Sequence, residues 1–169
     1  MKSMPNTSTQ RGFTLVELMI TITLLTIILM MGSSLSRSWI DRSQVTNAMA
    51  VFKSSVAQAQ AIALRNTNNH PITQASVSVC WDETNHIMRI IRVDTASNNV
   101  CQTNAQNTVL QSFSLPKGLA IKQGTTAFQC ISFNSAGVVT VATSSGCISD
   151  TKTAFKVGKN NETADISLI

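Results

Sequence analysis

An almost uninterrupted apolar run near the N-terminus constrains this chain more than any other feature. From Phe13 to Met31 the only charged residue is Glu17. As an α-helix this run is ~28 Å long, close to the ~30 Å hydrocarbon core of a bilayer. The run is apolar nearly all round, which disfavours a helix buried in a water-soluble core. It therefore predicts a membrane-spanning helix, and Lys2 and Arg11 before it predict that its N-terminal end faces the cytoplasm.

Two other interpretations of the apolar run stay open. A secretory signal peptide would need a cleavage site of small residues after the run, and Gly32–Ser33–Ser34 would fit. A plain signal anchor fits the hydropathy but gives no reason for Glu17. A carboxylate inside an apolar span costs several kcal/mol unless something pairs with it. Glu17 is therefore the residue that separates the alternatives.

A cut between Gly12 and Phe13 would give Glu17 a partner. The cut frees the α-amino group of Phe13, which is a cation four residues before Glu17, about one helical turn away. The same amine could also pair with Glu17 of a neighbouring subunit. Such pairing would set a register between helices that otherwise slide on apolar surfaces.

The stretch Arg11-Gly12-Phe13-Thr14-Leu15-Val16-Glu17-Leu18 resembles the class III signal of type IV pilins and type II secretion pseudopilins. The resemblance implies that residues 1–12 are a leader. A prepilin peptidase would cut after Gly12 and methylate the amine of Phe13, and Glu17 would register subunits. Many pilins have a proline partway along this helix. Here Gly32–Ser33–Ser34 stand at that point, so any flexibility would rest on weak helix formers.

The helical pattern continues beyond the apolar run. The span is expected over residues 13–32 and an amphipathic second half over 33–66, ended by the asparagines and proline of Asn66–Pro71. Apolar residues in the second half recur at spacings of three and four, which predicts a stripe buried as core rather than a functional site. The stripe consists of Val45, Ala48, Met49, Phe52, Val56, Ala59 and Ala63.

Residues 67–169 predict a β-rich domain outside the cytoplasm. Only 12% of the chain is charged, and short alternating runs are separated by polar clusters such as Asp82–Asn85 and Asn134–Gly137, which read as turns. The expected fold class is α+β, with the long N-terminal helix packed against an antiparallel meander. The predicted strands are Ser76–Trp81, His86–Asp94, Thr108–Leu115, Leu119–Lys122, Phe128–Asn134, Val138–Ala142 and Thr153–Val157.

Four cysteines lie in this second half: Cys80, Cys101, Cys130 and Cys147. No two of them form a CxxC pair, and His70 and His86 are not spaced as zinc ligands, so neither a metal nor another cofactor is expected. An even number of cysteines behind an export signal predicts disulfides. Three connectivities are open. The sequential pairing, Cys80–Cys101 with Cys130–Cys147, closes the shortest loops and is favoured over the others and over four free thiols.

The second half resembles the GspH/FimT/FimU-type minor pilins and pseudopilins through Ala59–Asn66 and Phe133–Gly137. The resemblance implies a minor pilin of a type IV pilus, in a tip complex that primes assembly and so affects twitching, adhesion or DNA uptake. Its partners would be prepilin peptidase and other pilins, major and minor. It would cross the inner membrane once, with its domain in the periplasm, before joining a surface pilus. An H-type pseudopilin of type II secretion, in a periplasmic pseudopilus, is the alternative.

Neither catalysis nor nucleic-acid binding is favoured by the remaining residues. No nucleophile stands in a context with His70 or His86, so no enzyme is expected. Without residues 1–12 the chain has 11 basic and 8 acidic residues, and a net charge of +3 is too small to indicate nucleic acid. Some FimT-like proteins bind DNA near the C-terminus, which makes a DNA-binding minor pilin a second alternative. Its candidate contacts here are Lys152, Lys156 and Lys159, but acidic neighbours favour a solvated surface.

Overall fold

The computed structural model describes residues 12–94, 100–102, 107–140, 147–148 and 154–167, and of residues 32–35 only the helical backbone. Within these residues one long helix precedes nine strands, so the predicted α+β class is confirmed. The elements are α1 (Leu15–Arg65), β1 (Val77–Asp82), β2 (Ile87–Val93), β3 (Asn107–Ser114), β4 (Leu119–Gln123), β5 (Thr126–Ala127), β6 (Cys130–Phe133), β7 (Cys147–Ile148), β8 (Phe155–Lys159) and β9 (Glu162–Ile166).

Helix α1 ends where the asparagine-rich segment predicts. Asn66 has a φ of 38°, in the left-handed region that asparagine tolerates at a helix C-terminus. Its side-chain Nδ2 donates to the carbonyl of His70 at 3.1 Å, and its Oδ1 accepts from the amide of His70 at 2.8 Å. One side chain therefore closes the loop that leads away from the helix.

The chain divides into two compact units between Trp39 and Ile40. In the second unit, the predicted stripe of α1 is buried except for Met49, which is partly buried, and Ala48, Phe52, Ala59 and Ala63 are fully inaccessible. Phe52 is central to this core, because its ring contacts Phe128 edge-on at 5.2 Å.

Five strands form the first sheet, in the order β3-β2-β1-β6-β7. Strand β1 pairs antiparallel with both β2 and β6, and β2 pairs with β3 through a bulge at Ile90/Ile91. Strand β7 is the exception, since it runs parallel to β6 and aligns Cys147 with Cys130. The hairpin between β1 and β2 is closed by the predicted turn, in which Asp82 Oδ1 accepts from the amide of Asn85 at 3.0 Å.

The second sheet has the order β5-β4-β8-β9 and is antiparallel throughout. Two sheets replace the single meander expected from the sequence. The difference arises because β4 pairs with β8, which is distant in the chain (Gln123 pairs with Phe155), instead of with its predecessor β3. Both sheets contribute to one core with the second part of α1, through residues such as Val79 and Val157.

The predicted strand Val138–Ala142 is wrong as far as Thr140, where the described part of this segment ends. Only one bridge forms, between Val139 and Phe133. The hairpin stops there because β7 occupies the same edge of β6 farther along. The turn itself is as predicted: Gly137 has a φ of 71°, and Asn134 Oδ1 accepts from the amide of Ala136 at 3.0 Å. Strands β5, β7 and β9 were not predicted.

Candidate assembly site at the helix N-terminus

The N-terminus of α1 is built by a capping interaction between two residues of the leader-like motif. Thr14 stands immediately before the helix, and its Oγ1 accepts from the backbone amide of Glu17 at 3.3 Å. Its carbonyl accepts from the amide of Leu18 at 3.2 Å. A threonine followed three residues later by glutamate is the signature of a capping box. The spacing Thr14-x-x-Glu17 in the sequence is the signal that predicts this cap.

The peptide bond proposed for cleavage lies in the open. The side chain of Phe13 is 81% exposed. A Cβ atom placed on Gly12 would meet no heavy atom within 4 Å. A larger residue at position 12 therefore fits this chain without a clash. If glycine is required there, the requirement comes from the peptidase.

Glu17 occupies the third helical position, where a carboxylate is stabilised by the partial positive charge of the helix N-terminus. The residue is exposed. Phe13 and Thr14 precede the helix, so the backbone nitrogen of Phe13 lies just before the first turn. In the uncut chain this nitrogen belongs to an amide. Pairing between a freed Phe13 amine and Glu17 therefore stays a prediction.

The apolar run after the motif is helical and unusually exposed. Every large apolar side chain from Phe13 to Met31 is more than half exposed, down to 52% at Ile22. This part of α1 is long and apolar enough to cross a membrane, with none of its most apolar window buried. Its threonines are compatible with lipid, since each hydroxyl donates to a carbonyl of the same helix. These bonds join Thr21 to Leu18 at 2.8 Å, Thr23 to Met19 at 2.9 Å and Thr26 to Thr23 at 2.8 Å.

Two disulfides lie side by side on the first sheet. Cys80 is bonded to Cys101 with a Cα–Cα distance of 5.7 Å, and Cys130 is bonded to Cys147 at 4.4 Å. This is the sequential pairing that the sequence favoured. Cys80 of β1 stands directly opposite Cys130 of β6, so the two bridges tie a loop and β7 onto one row of the sheet.

The sulfur atoms of Cys101, Cys130 and Cys147 lie within 4.8 Å of one another, a spacing that free thiolates could use for a metal. Each of these sulfurs is in a disulfide, however. Metal binding needs deprotonated thiols. The row of cysteines is therefore a structural cross-link.

A cavity of about 420 Å³ opens beside the Cys80–Cys101 bridge. Its described lining contains no serine, threonine, histidine or free thiol, but it does contain the carboxylates of Asp82 and Glu83. The charged groups in its wall are partly paired: Arg89 Nη1 donates to Asp82 Oδ2 at 3.2 Å. Hydrogen bonds from Asn85, reinforced by Arg89, hold the pKa of Asp82 below its usual value. The lining residues are Cys80, Trp81, Asp82, Glu83, Arg89, Cys101, Ala127, Phe128, Gln129 and Cys130.

Two of the three candidate DNA-contacting lysines, Lys156 and Lys159, are in the described part of the chain. Lys152 lies outside the described residues. Lys156 is exposed on β8, while Lys159 points to the opposite face of the strand, three residues on. The cross-strand neighbour of Lys156 is instead Lys122 of β4, and its other neighbour is Asp165, whose Oδ1 lies 3.9 Å from Nζ. A pairing that depends on strand register could not be read from the sequence.

Lys159 contacts polar side chains of helix α1. Its Nζ lies 3.4 Å from Asp41 Oδ1 and donates to Gln44 Oε1. Asn160 Nδ2 donates to the other oxygen of Asp41 at 2.7 Å. The hydrogen bond from Asn160, together with Lys159, keeps the pKa of Asp41 below its ordinary value. The Lys159 side chain is only 18% exposed, so it serves the packing of the β8–β9 hairpin on α1.

Comparison with known families agrees with the site at the helix N-terminus. A family model described as the prokaryotic N-terminal methylation motif matches residues 7–33. No curated protein and no solved structure matches the chain. The match spans the Gly12–Phe13 bond, Glu17 and the apolar run. It supports a type IV pilin-like or pseudopilin protein, which is processed by prepilin peptidase and assembled with other pilins. Proteins with this motif are structural subunits.

Proposed function

We propose that this chain is a minor pilin of a type IV pilus, in a tip or priming complex for pilus assembly. The observation that carries the proposal is the methylation motif at residues 7–33, continuous with an apolar helix whose side chains are exposed. Such a helix needs an apolar environment, which the inner membrane supplies first and neighbouring helices of a filament supply later. The β-rich domain would occupy the periplasm and then the surface of the pilus.

In this proposal the peptidase cuts between Gly12 and Phe13 and methylates the Phe13 amine. The exposure of this bond supports the step, since a peptidase needs access to it. The amine and the Glu17 carboxylate then form an ion pair, within one chain or between neighbours. An unpaired carboxylate among packed apolar helices is costly, so Glu17 would select the one register that supplies an amine.

The substitution Glu17→Val tests the role of the carboxylate. The variant should still insert, because the span only becomes more apolar. Its incorporation into sheared pili should fall at least about tenfold, since losing one partner of a buried ion pair costs several kcal/mol. Immunoblots of the pilus and membrane fractions measure this ratio. Glu83→Val, at an exposed turn of the domain, is the matched control. Equal incorporation of both variants would contradict the role of Glu17.

Deletion of the gene tests the assignment to a pilus. We expect fewer pili and reduced twitching or DNA uptake, all restored by the wild-type gene in trans. Normal pilus number, twitching and uptake in the deletion strain would refute the minor-pilin function. The alternative is the H-type pseudopilin of type II secretion. Deletion would then abolish exoprotein release and leave surface pili unchanged, so a secretion assay on the same strain separates the two.

A further inference from the structure

Among the aromatic residues that follow the apolar run in the sequence, Trp39 stands out by its exposure. It lies in helix α1 and its side chain is 75% exposed, whereas Trp81 of β1 is only 8% exposed. Tryptophan is enriched where a helix leaves a bilayer, because its ring is apolar and its N–H group is polar. Arg37 is close by in the same helix. A positively charged side chain at such a place can reach the headgroup region.

The distance along the helix fits a bilayer. No charged residue lies between Glu17 and Arg37. The two are 20 residues apart, which is ~30 Å at 1.5 Å per residue, the thickness of the hydrocarbon core. The segment Leu18–Ser36 between them can therefore span the core without a charge inside it.

Two placements of the helix compete. With Phe13–Met31 in the core, Glu17 lies ~6 Å inside it and Trp39 lies ~12 Å beyond its outer edge. With Leu18–Ser36 in the core, Glu17 moves to the inner boundary and Trp39 reaches the outer headgroup region. The second placement removes a charge from hydrocarbon. In exchange it inserts the small, uncharged residues Gly32–Ser34 and Ser36.

We propose that the helix sits in the inner membrane with Leu18–Ser36 in the hydrocarbon and Trp39 anchored among the outer headgroups. The inference rests on the membrane stage of the proposed function. It has one consequence for Glu17: in the membrane the carboxylate lies at the cytoplasmic interface and needs no partner. The partner becomes necessary only when the helix moves into the core of a filament.

Fluorescence quenching by brominated lipids tests the anchor. The full-length chain and its Trp39→Phe variant are reconstituted in phosphatidylcholine–phosphatidylglycerol vesicles, with bromines either near the headgroup or deep in the acyl chains. The difference between the two proteins isolates the emission of Trp39, so the buried Trp81 need not be replaced. We expect shallow bromines to remove most of the Trp39 emission and deep bromines to remove much less. Emission of the variant should change little.

Three results would overturn the inference, and they are distinguishable. If the protein resists carbonate extraction but Trp39 emission is not quenched, the helix is inserted with Trp39 in water, and only the anchor is refuted. If carbonate removes the protein from the vesicles, the membrane stage itself fails, and with it the proposed function. Stronger quenching by deep bromines would also contradict the placement, because it would put Trp39 within the hydrocarbon.

Discussion

Helix α1 carries apolar side chains in both its first and its second part, but those of the first part are exposed and most of those of the second part are buried. Between Leu15 and Met31 the apolar side chains cover the whole circumference and are exposed. Between Val45 and Ala63 they form a single stripe, which is buried by both sheets. The second part is therefore buried by this chain's own domain. The first part requires an apolar environment that other molecules supply, in agreement with the methylation motif.

The largest effect that separates the two ends is expected from core truncation. Phe52→Ala should lower the free energy of unfolding of the domain by about 3–5 kcal/mol, because it removes a fully buried ring that contacts Phe128 and Phe155. Leu24→Ala in the exposed run should change it by less than about 0.5 kcal/mol. Urea unfolding in detergent, with both variants in a Trp39→Phe background so that Trp81 is the only tryptophan, measures both. Equal losses in the two variants would contradict the comparison.

The disulfides should give the next largest effect, again confined to the domain. Replacing Cys80 and Cys101 together by serine should lower the free energy of unfolding of the domain by about 3 kcal/mol. Without the bridge the unfolded chain gains conformational entropy, because the loop is no longer closed. The Cys130–Cys147 bridge joins residues 17 apart, and the Cys80–Cys101 bridge joins residues 21 apart. Removing either bridge should therefore lower the free energy of unfolding by about the same amount. The same urea experiment applies.

Membrane insertion provides the contrast for the disulfide variants, since the apolar run contains no cysteine. Both double variants should resist carbonate extraction as the wild-type chain does. Loss of insertion together with loss of domain stability would show that the two ends of the helix are not independent.

The smallest effect is expected from a carboxylate network at the edge of the first sheet. Asp94 accepts hydrogen bonds from Thr108 at 2.6 Å, Arg92 at 2.8 Å and Asn68 at 2.6 Å. These contacts, that of Thr108 first, hold the pKa of Asp94 below its usual 3.8. Because the folded pKa is lower than the unfolded one, this stabilisation is complete above about pH 4 and is lost as the pH falls through the folded pKa.

Asp94→Asn should therefore flatten the decline in unfolding free energy below pH 4 and slightly lower its value at pH 7. Denaturation curves measured from pH 2 to 7 test this expectation. Glu83→Gln, at an exposed turn, is the control and should leave the unfolding free energy at pH 7 unchanged. A steeper acid decline in Asp94→Asn than in the wild type would contradict the sign of the shift.

Features encoded locally in the sequence could be predicted. The helix stripe follows from spacing, the helix end from Asn66, and the turn at Asn134–Gly137 from residues that favour it. Other features depend on contacts between distant segments. The pairing of β4 with β8, the two-residue strand β7 and the contact of Lys159 with Asp41 follow from packing that no local pattern carries.

The candidate site divides in the same way. The motif from Gly12 to Glu17 is contiguous, so its chemistry was readable, and the capping role of Thr14 could have been found from the same residues. The positions of Lys156 and Lys159, two of the candidate DNA contacts, could not be read in this way. Whether Lys156 lies beside Lys159 or Lys122 depends on strand alternation and register, which only the folded chain determines.

The central claim is that the exposed run becomes the N-terminal helix of a processed pilin-like subunit. Intact-mass and N-terminal analysis of the protein purified from its native membrane tests this claim most directly. We predict a chain that begins at Phe13 and carries one methyl group on its amine, and an uncut precursor when Gly12 is replaced by a larger residue. A protein that retains residues 1–12, or one cut after the apolar run near Gly32, would contradict the account.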